Sequence, residues 1–190
     1  MVETPTRKDL ILIGIKYGAI SGAIATWAIS SAIAASEVAL SFPIGTFYSI
    51  MGISLGINNV ITAGYVAFGL HILTGTILGT IMGAVMIRFK GILSTYKSTL
   101  IGMVSGLVIA IVLFIPVTLI FVEPSIQRIT LLIGAHSGRA MLSSGISQFV
   151  IVATNGAIGF HLVWGALFGF MITSMLRIRA HRLSHVGVNA

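Results

Sequence analysis

Two histidines set in matching glycine-rich stretches are the residues of this 190-residue chain best placed to do chemistry. His71 lies in Gly69-Leu70-His71-Ile72-Leu73-Thr74-Gly75-Thr76-Ile77-Leu78-Gly79. His161 lies in Gly159-Phe160-His161-Leu162-Val163-Trp164-Gly165-Ala166-Leu167-Phe168-Gly169. Every matched residue is displaced by 90 positions (69 to 159, 71 to 161, 75 to 165, 79 to 169). Both copies sit in the middle of long apolar runs, where an ionisable side chain is costly and normally has a partner or a task. Three chemistries fit such a pair. Each imidazole can hydrogen-bond a serine, threonine or carbonyl on a neighbouring helix. The pair can line a proton or solute pathway. The pair can also bind a metal ion or supply both axial ligands of a haem b, with the nearby glycines making room for the ring. Two histidines do not complete a closed zinc site, which wants four ligands. The residues demand no cofactor, and haem or a metal stays open as an alternative.

Glu37 and Glu123 are the only acidic residues beyond the N-terminal tail, and each follows the first apolar segment of its half. They read as markers of the outward membrane surface. The alternative is an acidic mouth that attracts cations. His136-Ser137-Gly138-Arg139 reads as a solvated loop, with contact to an anion or headgroup as its alternative. The chain has no cysteine, which excludes disulfides, thiolate nucleophiles and cysteine-ligated metals. It has no Walker A loop, no GxSxG elbow, no HExxH and no carboxylate cluster. General acid–base work would fall almost wholly on histidine, so an enzyme is not expected.

Those histidines must be positioned by elements that lipid can cover. Hydrophobic residues are 56% of the chain and charged residues 8%, against roughly 25% charge in a soluble domain. The net charge of +7 is carried by residues flanking apolar segments, as in membrane anchors, and forms no nucleic-acid stripe. The N-terminus superficially resembles a signal peptide. Its apolar region is too long for one, contains Lys16 and has a counterpart later in the chain.

The expected fold is an all-α integral membrane protein, one domain over 1–190 with four transmembrane helices at about 10–35, 63–87, 99–122 and 152–176. Gly18-Ala19-Ile20-Ser21-Gly22 matches Gly102-Met103-Val104-Ser105-Gly106 at a displacement of 84 (18 to 102). Together with the displacement of 90, this describes two copies of a helical hairpin, about 10–88 and 98–178. Each copy crosses twice, so the two share one orientation about an axis along the membrane normal. Between the helices of each copy lie the intermediate stretches 38–58 and 125–148. They read as interfacial or re-entrant helices on the outward side. Arg7, Lys8, Arg88, Lys90, Lys97, Arg177, Arg179 and Arg182 fall on one side of a four-span layout, and Arg128 and Arg139 on the other. That bias predicts a multi-pass protein of the cytoplasmic membrane with both termini inside, 177–190 being a cytoplasmic tail. Pro116 predicts a kink in the third helix.

Gly14, Gly18 and Gly22, then Gly75, Gly79 and Gly83, recur every four residues, and Gly102, Gly106, Gly165 and Gly169 repeat the pattern. Small residues at that spacing form helix-packing faces in membranes. The first functional expectation is therefore a non-catalytic structural or accessory subunit, packing on itself or on other membrane subunits through those faces. The second is a small transporter or channel lined by His71 and His161. The third is an electron-transfer subunit with haem or metal at the same histidines.

Gly18-x-x-Ser21-Gly22, the apolar helix bearing Pro116, and Gly159-Phe160-His161-Leu162-Val163-Trp164 together resemble the YagU-type family of small inner-membrane proteins. The resemblance implies four membrane helices and offers His161 as a functional position. It implies no substrate, because that family carries no firmly assigned activity.

Overall fold

The computed structural model describes residues 6–88, 94–137 and 143–186. Every regular element among them is helical: α1 (Arg7–Ala39), α2 (Thr46–Ser54), α3 (Val60–Met86), α4 (Thr95–Ile109), α5 (Ile115–Val117), α6 (Ile126–Ser137) and α7 (Ser143–Val186). Four stretches are long and apolar enough to cross a membrane: Arg7–Ala39, Val60–Met86, Thr95–His136 and Gln148–Arg179. Lys90 and Arg139, counted in the charge bias, lie outside the described residues, as does Gly138.

The helices overrun the expected spans. The third was expected to stop near 122. Instead π-helical turns at Ala110–Phe114 and Thr118–Val122 and a 3-10 turn at Glu123–Ser125 carry the winding from α4 into α6. Pro116 is the cause. It has no N–H to donate and its ring crowds the preceding turn. The chain widens on either side, so that Ile115 N–H reaches Ala110 O and Glu123 N–H reaches Thr118 O, the i→i−5 bonding of a π-bulge. Residues 143–148, placed above in the second intermediate stretch, belong to α7. Hydropathy marks only the apolar part of a helix, whereas backbone bonding runs on through polar residues.

The helix ends are set by local chemistry. Thr6 and Asp9 form a capping box at the start of α1: Thr6 N–H and Oγ1–H donate to Asp9 Oδ2 at 2.8 and 2.6 Å, and Asp9 N–H donates to Thr6 Oγ1 at 3.3 Å. Asn59 caps α3 by accepting Thr62 N–H at 2.9 Å. The ends of α1 and α2 are Schellman motifs. After α1, Phe42 N–H bonds Glu37 O and Ser41 N–H bonds Val38 O; after α2, Ile57 N–H bonds Gly52 O and Gly56 N–H bonds Ile53 O. The pivot residue is left-handed in both, with φ 102° at Gly56 and φ 62° at Ser41. Glycine accepts that conformation freely and serine does not.

The contacts divide the chain into two compact units. The first holds the described residues of 1–27, 73–106 and 162–190. Here α1 and α3 approach backbone to backbone, as do α4 and α7. A Cβ at Gly14 would meet the Gly83 carbonyl oxygen at 2.6 Å, and one at Gly79 would meet Gly18 O at 2.5 Å. Gly22 faces Gly75 in the same way, Gly102 faces Gly165, and Gly169 faces Ser98. Trp164 Nε1–H donates to Thr26 Oγ1 at 2.8 Å, and the indole stacks on Phe168. On α3, Gly75, Gly79 and Gly83 are buried while Leu73, Ile77, Ile81 and Val85 are 53, 50, 56 and 48% exposed. Small residues inward and large apolar ones outward is the arrangement of a protein solvated by lipid.

The second unit holds 28–72 and the described residues of 107–161. Its core joins Ile50 and Ile53 of α2 and Ala63 of α3 to Val122, Ile129, Ile133 and Phe149. Gly52 lies so close to Ala63 that a Cβ there would stand 2.6 Å from the Ala63 Cα. Arg128 ties α6 to the α2–α3 turn by donating to Gly56 O at 2.9 Å and to Asn58 Oδ1.

Two outcomes follow. Gly79→Leu should destabilise the chain by about 1–3 kcal/mol, the usual cost of overpacking, whereas Gly69→Ala, with open space beside it, should leave the thermal midpoint in detergent unchanged. Ser41→Gly should raise that midpoint, with a gain of roughly 0.5–1 kcal/mol from relieving the left-handed strain.

Candidate functional site

The second unit contains a cleft of about 950 Å³ between the end of α1, the turn into α2, the start of α3 and α6. Five side chains give it chemistry. Glu37, on the last turn of α1, is 1% exposed. Its carboxylate accepts Gly45 N–H and Phe47 N–H, each at 2.6 Å. These are free amides at the start of α2, so the carboxylate acts as a distant cap, and the positive end of that helix favours its charge. Tyr48 lies one residue further along. Its hydroxyl donates to Ser30 Oγ at 2.8 Å, joining α2 to the middle of α1. Burial pushes the Tyr48 phenol up to about 12, so it stays protonated and keeps donating. Tyr65, 76% exposed, stands at the rim. Phe68 packs edge-on against the Tyr48 ring, with centroids 5.4 Å apart. The exposed His136 of α6 lines the far side.

Both paired histidines fall in this unit. His71 also lies against Tyr48, ring centroids 5.5 Å apart. Its Nε2 is buried and, among the described residues, has no hydrogen-bond partner. His161 Nδ1 bonds the Ala157 carbonyl oxygen of its own helix at 2.7 Å, and its ring lies 5.3 Å from that of Phe114 in the first π-turn. These bonds do not tie one helix to another, so helix-to-helix hydrogen bonding gives no account of either ring.

The two acidic residues occupy different settings. Glu37 is buried and engaged, whereas Glu123 is exposed in its 3-10 turn. The glycine faces lie in the first unit, and the two matched sets of glycines do not pair alike there. Displacements of 84 and 90 would set Gly102 against Gly169, by analogy with Gly18 against Gly79. Instead Gly102 meets Gly165 and Gly169 meets Ser98, one helical turn away. Sequence reasoning missed Ser30, Tyr48, Tyr65 and Phe68. Ser30 and Tyr48 are 18 residues apart, and nothing periodic links residues of separate helices at that distance.

A bis-histidine site has a donor set worth testing against a group. Among the described residues no cluster of three His, Asp or Glu side chains could hold a metal ion. A haem needs only two, and the two rings present here meet that count.

No family profile, curated protein or solved structure matches the chain.

The Glu37 cap yields an expectation of its own. Glu37→Ala removes two charge-assisted bonds and leaves two buried amides unmet, each costing about 1–3 kcal/mol. Amide hydrogen exchange over 45–49 should accelerate, while exchange at Gly18 and Gly79 should not. Equal protection across 45–49 in both proteins would remove Glu37 from this role.

Proposed function

We propose that this chain is a small, non-catalytic, multi-pass membrane protein that moves a solute or protons past His71 and His161. One observation carries the reading: a buried imidazole nitrogen without a partner, in a span-length helix, beside a polar-floored cleft. An unmet nitrogen costs about 1–3 kcal/mol, and a histidine kept only as helix glue would be expected to use it. A pathway needs a group free to take up and release a proton or a ligand.

The accessory-subunit reading relied on glycine faces as docking surfaces. Those faces are filled by one another within the chain, so a partner would need a different surface. The distribution of basic residues supports both termini on the cytoplasmic side of the cytoplasmic membrane. In that orientation α2 and α6 lie toward the outside, consistent with interfacial or re-entrant helices. The paired motifs support descent from a duplicated hairpin, with the register of the second copy shifted. The YagU-type resemblance agrees with this reading and adds no substrate.

The free His71 nitrogen also favours one second reading, axial ligation of a haem together with His161. Its chemistry would be one-electron transfer, with the protein supplying the two ligands.

Both readings are tested on one preparation. The purified chain, reconstituted in liposomes, should conduct protons under a potassium diffusion potential, and His71→Ala should return the flux to protein-free background. Equal flux in the variant would remove His71 from any pathway. A Soret band that disappears in the His71→Ala, His161→Ala double variant would replace transport with the haem reading.

A further inference from the structure

The cleft holds a feature that proton movement past the histidines does not use. Glu37 is a nearly fully buried carboxylate that lines the cleft, and among the described residues no basic side chain bonds it. Two amides meet one lone pair on each oxygen, which leaves the others unmet by those bonds. The cleft that the carboxylate lines also has aromatic residues. Tyr48, Tyr65 and Phe68 line the same cleft, and the Tyr48 and Phe68 rings stand nearly perpendicular, 84° apart. No lysine or arginine lines it. Its mouth is flanked by Val38, Ile44 and Ile61, which are 58, 73 and 56% exposed, so an apolar body entering there meets apolar walls.

From this juxtaposition we infer that the cleft binds a lipophilic organic cation, an ammonium or phosphonium carried on an apolar or aromatic body. The carboxylate supplies charge complementarity. The ring faces attract the cation through their quadrupoles, as aromatic cages do for quaternary ammonium groups. The Val38, Ile44 and Ile61 rim covers the body. An anion is disfavoured because it would stand beside a buried carboxylate with no lysine or arginine in the lining to offset it. A neutral ligand of the same shape gains only the apolar contacts. The inference deepens the transport reading and rests on it for its biological sense, naming the class of solute. The binding site itself stands on the cleft alone.

The test is binding of tetraphenylphosphonium to the full chain in detergent, by equilibrium dialysis, beside the neutral triphenylphosphine oxide. Wild type should bind the cation saturably and the neutral compound at least tenfold more weakly. Glu37→Gln should remove that preference. Tyr65→Ala, at an exposed rim position where folding is not at stake, should weaken cation binding by about 2–30-fold, the loss of one cation–π contact. If Glu37→Gln does not yield folded protein, Tyr65→Ala and Phe68→Ala carry the test. Equal affinity for the two compounds, or variants that bind the cation as wild type does, would overturn the proposal. Titrating in phosphatidylethanolamine or phosphatidylglycerol identifies the source of the cation. Displacement by the former alone makes it a lipid headgroup, and displacement by neither makes it a free solute; displacement by both equally counts against a cation site. Proton flux that depends on His71 without selective cation binding would leave transport standing and remove this substrate class. Selective binding without flux would do the reverse.

Discussion

Close approach of helix backbones at glycine is the constraint on which the first unit depends. In lipid, apolar side chains gain nothing by leaving the solvent, because the solvent is as apolar as they are. Helices must then be held by dispersion at short range and by hydrogen bonds, and both need backbones near one another. Gly14, Gly18 and Gly22 against Gly83, Gly79 and Gly75 provide that proximity along three turns. The large residues displaced from the interface appear on the opposite face of α3, at Leu73, Ile77, Ile81 and Val85. A soluble four-helix protein would reverse this distribution. The same constraint holds α4 against α7, where Gly102 meets Gly165 and Gly169 meets Ser98 at comparably short range.

A second consequence of apolar surroundings is that polar groups must be met inside the chain. Most are. Thr26, Thr80, Thr99, Thr118, Thr130 and Thr154 return their hydroxyls to carbonyls four residues back. Trp164 finds Thr26, Tyr48 finds Ser30, and Glu37 finds two amides. Against that background the unmet Nε2 of His71 stands apart. In water an unpartnered imidazole nitrogen would carry no message. In a chain that pairs its buried hydroxyls and its indole, it is the exception among the described residues.

Four apolar helices were legible in the sequence because length and composition alone decide them. The ends of those helices were less so. Pro116 pointed to a disruption, but the chain answered with π-turns and continued winding, since a widened turn removes the clash without breaking the helix. The four-residue glycine spacing placed those residues on one face of each helix. Which carbonyl each would meet depended on the register between helices, and that is decided by contacts hundreds of atoms away in the chain. The floor of the cleft was illegible for the same reason. Glu37 caps a helix that begins eight residues later, outside any local capping pattern, and Ser41 occupies a pivot where the sequence rule looks for glycine.

The repeated histidine motif suggested two equivalent positions facing one another across an axis. Their surroundings argue for division of labour instead. His161 is fixed to its own helix through Ala157 and lies against Phe114, whose ring cannot hydrogen-bond. His71 is unbonded at Nε2 and lies against Tyr48, which reaches Ser30 and follows directly on the amides held by Glu37. The acidic residues diverge in parallel, with Glu37 buried at the cleft and Glu123 exposed. The short helix α2 thus brings three groups near one another: Glu37 holds its first amides, Tyr48 bonds Ser30, and the His71 ring lies against Tyr48. Around His161 the ring neighbour is Phe114, and among the described residues no carboxylate bonds the imidazole.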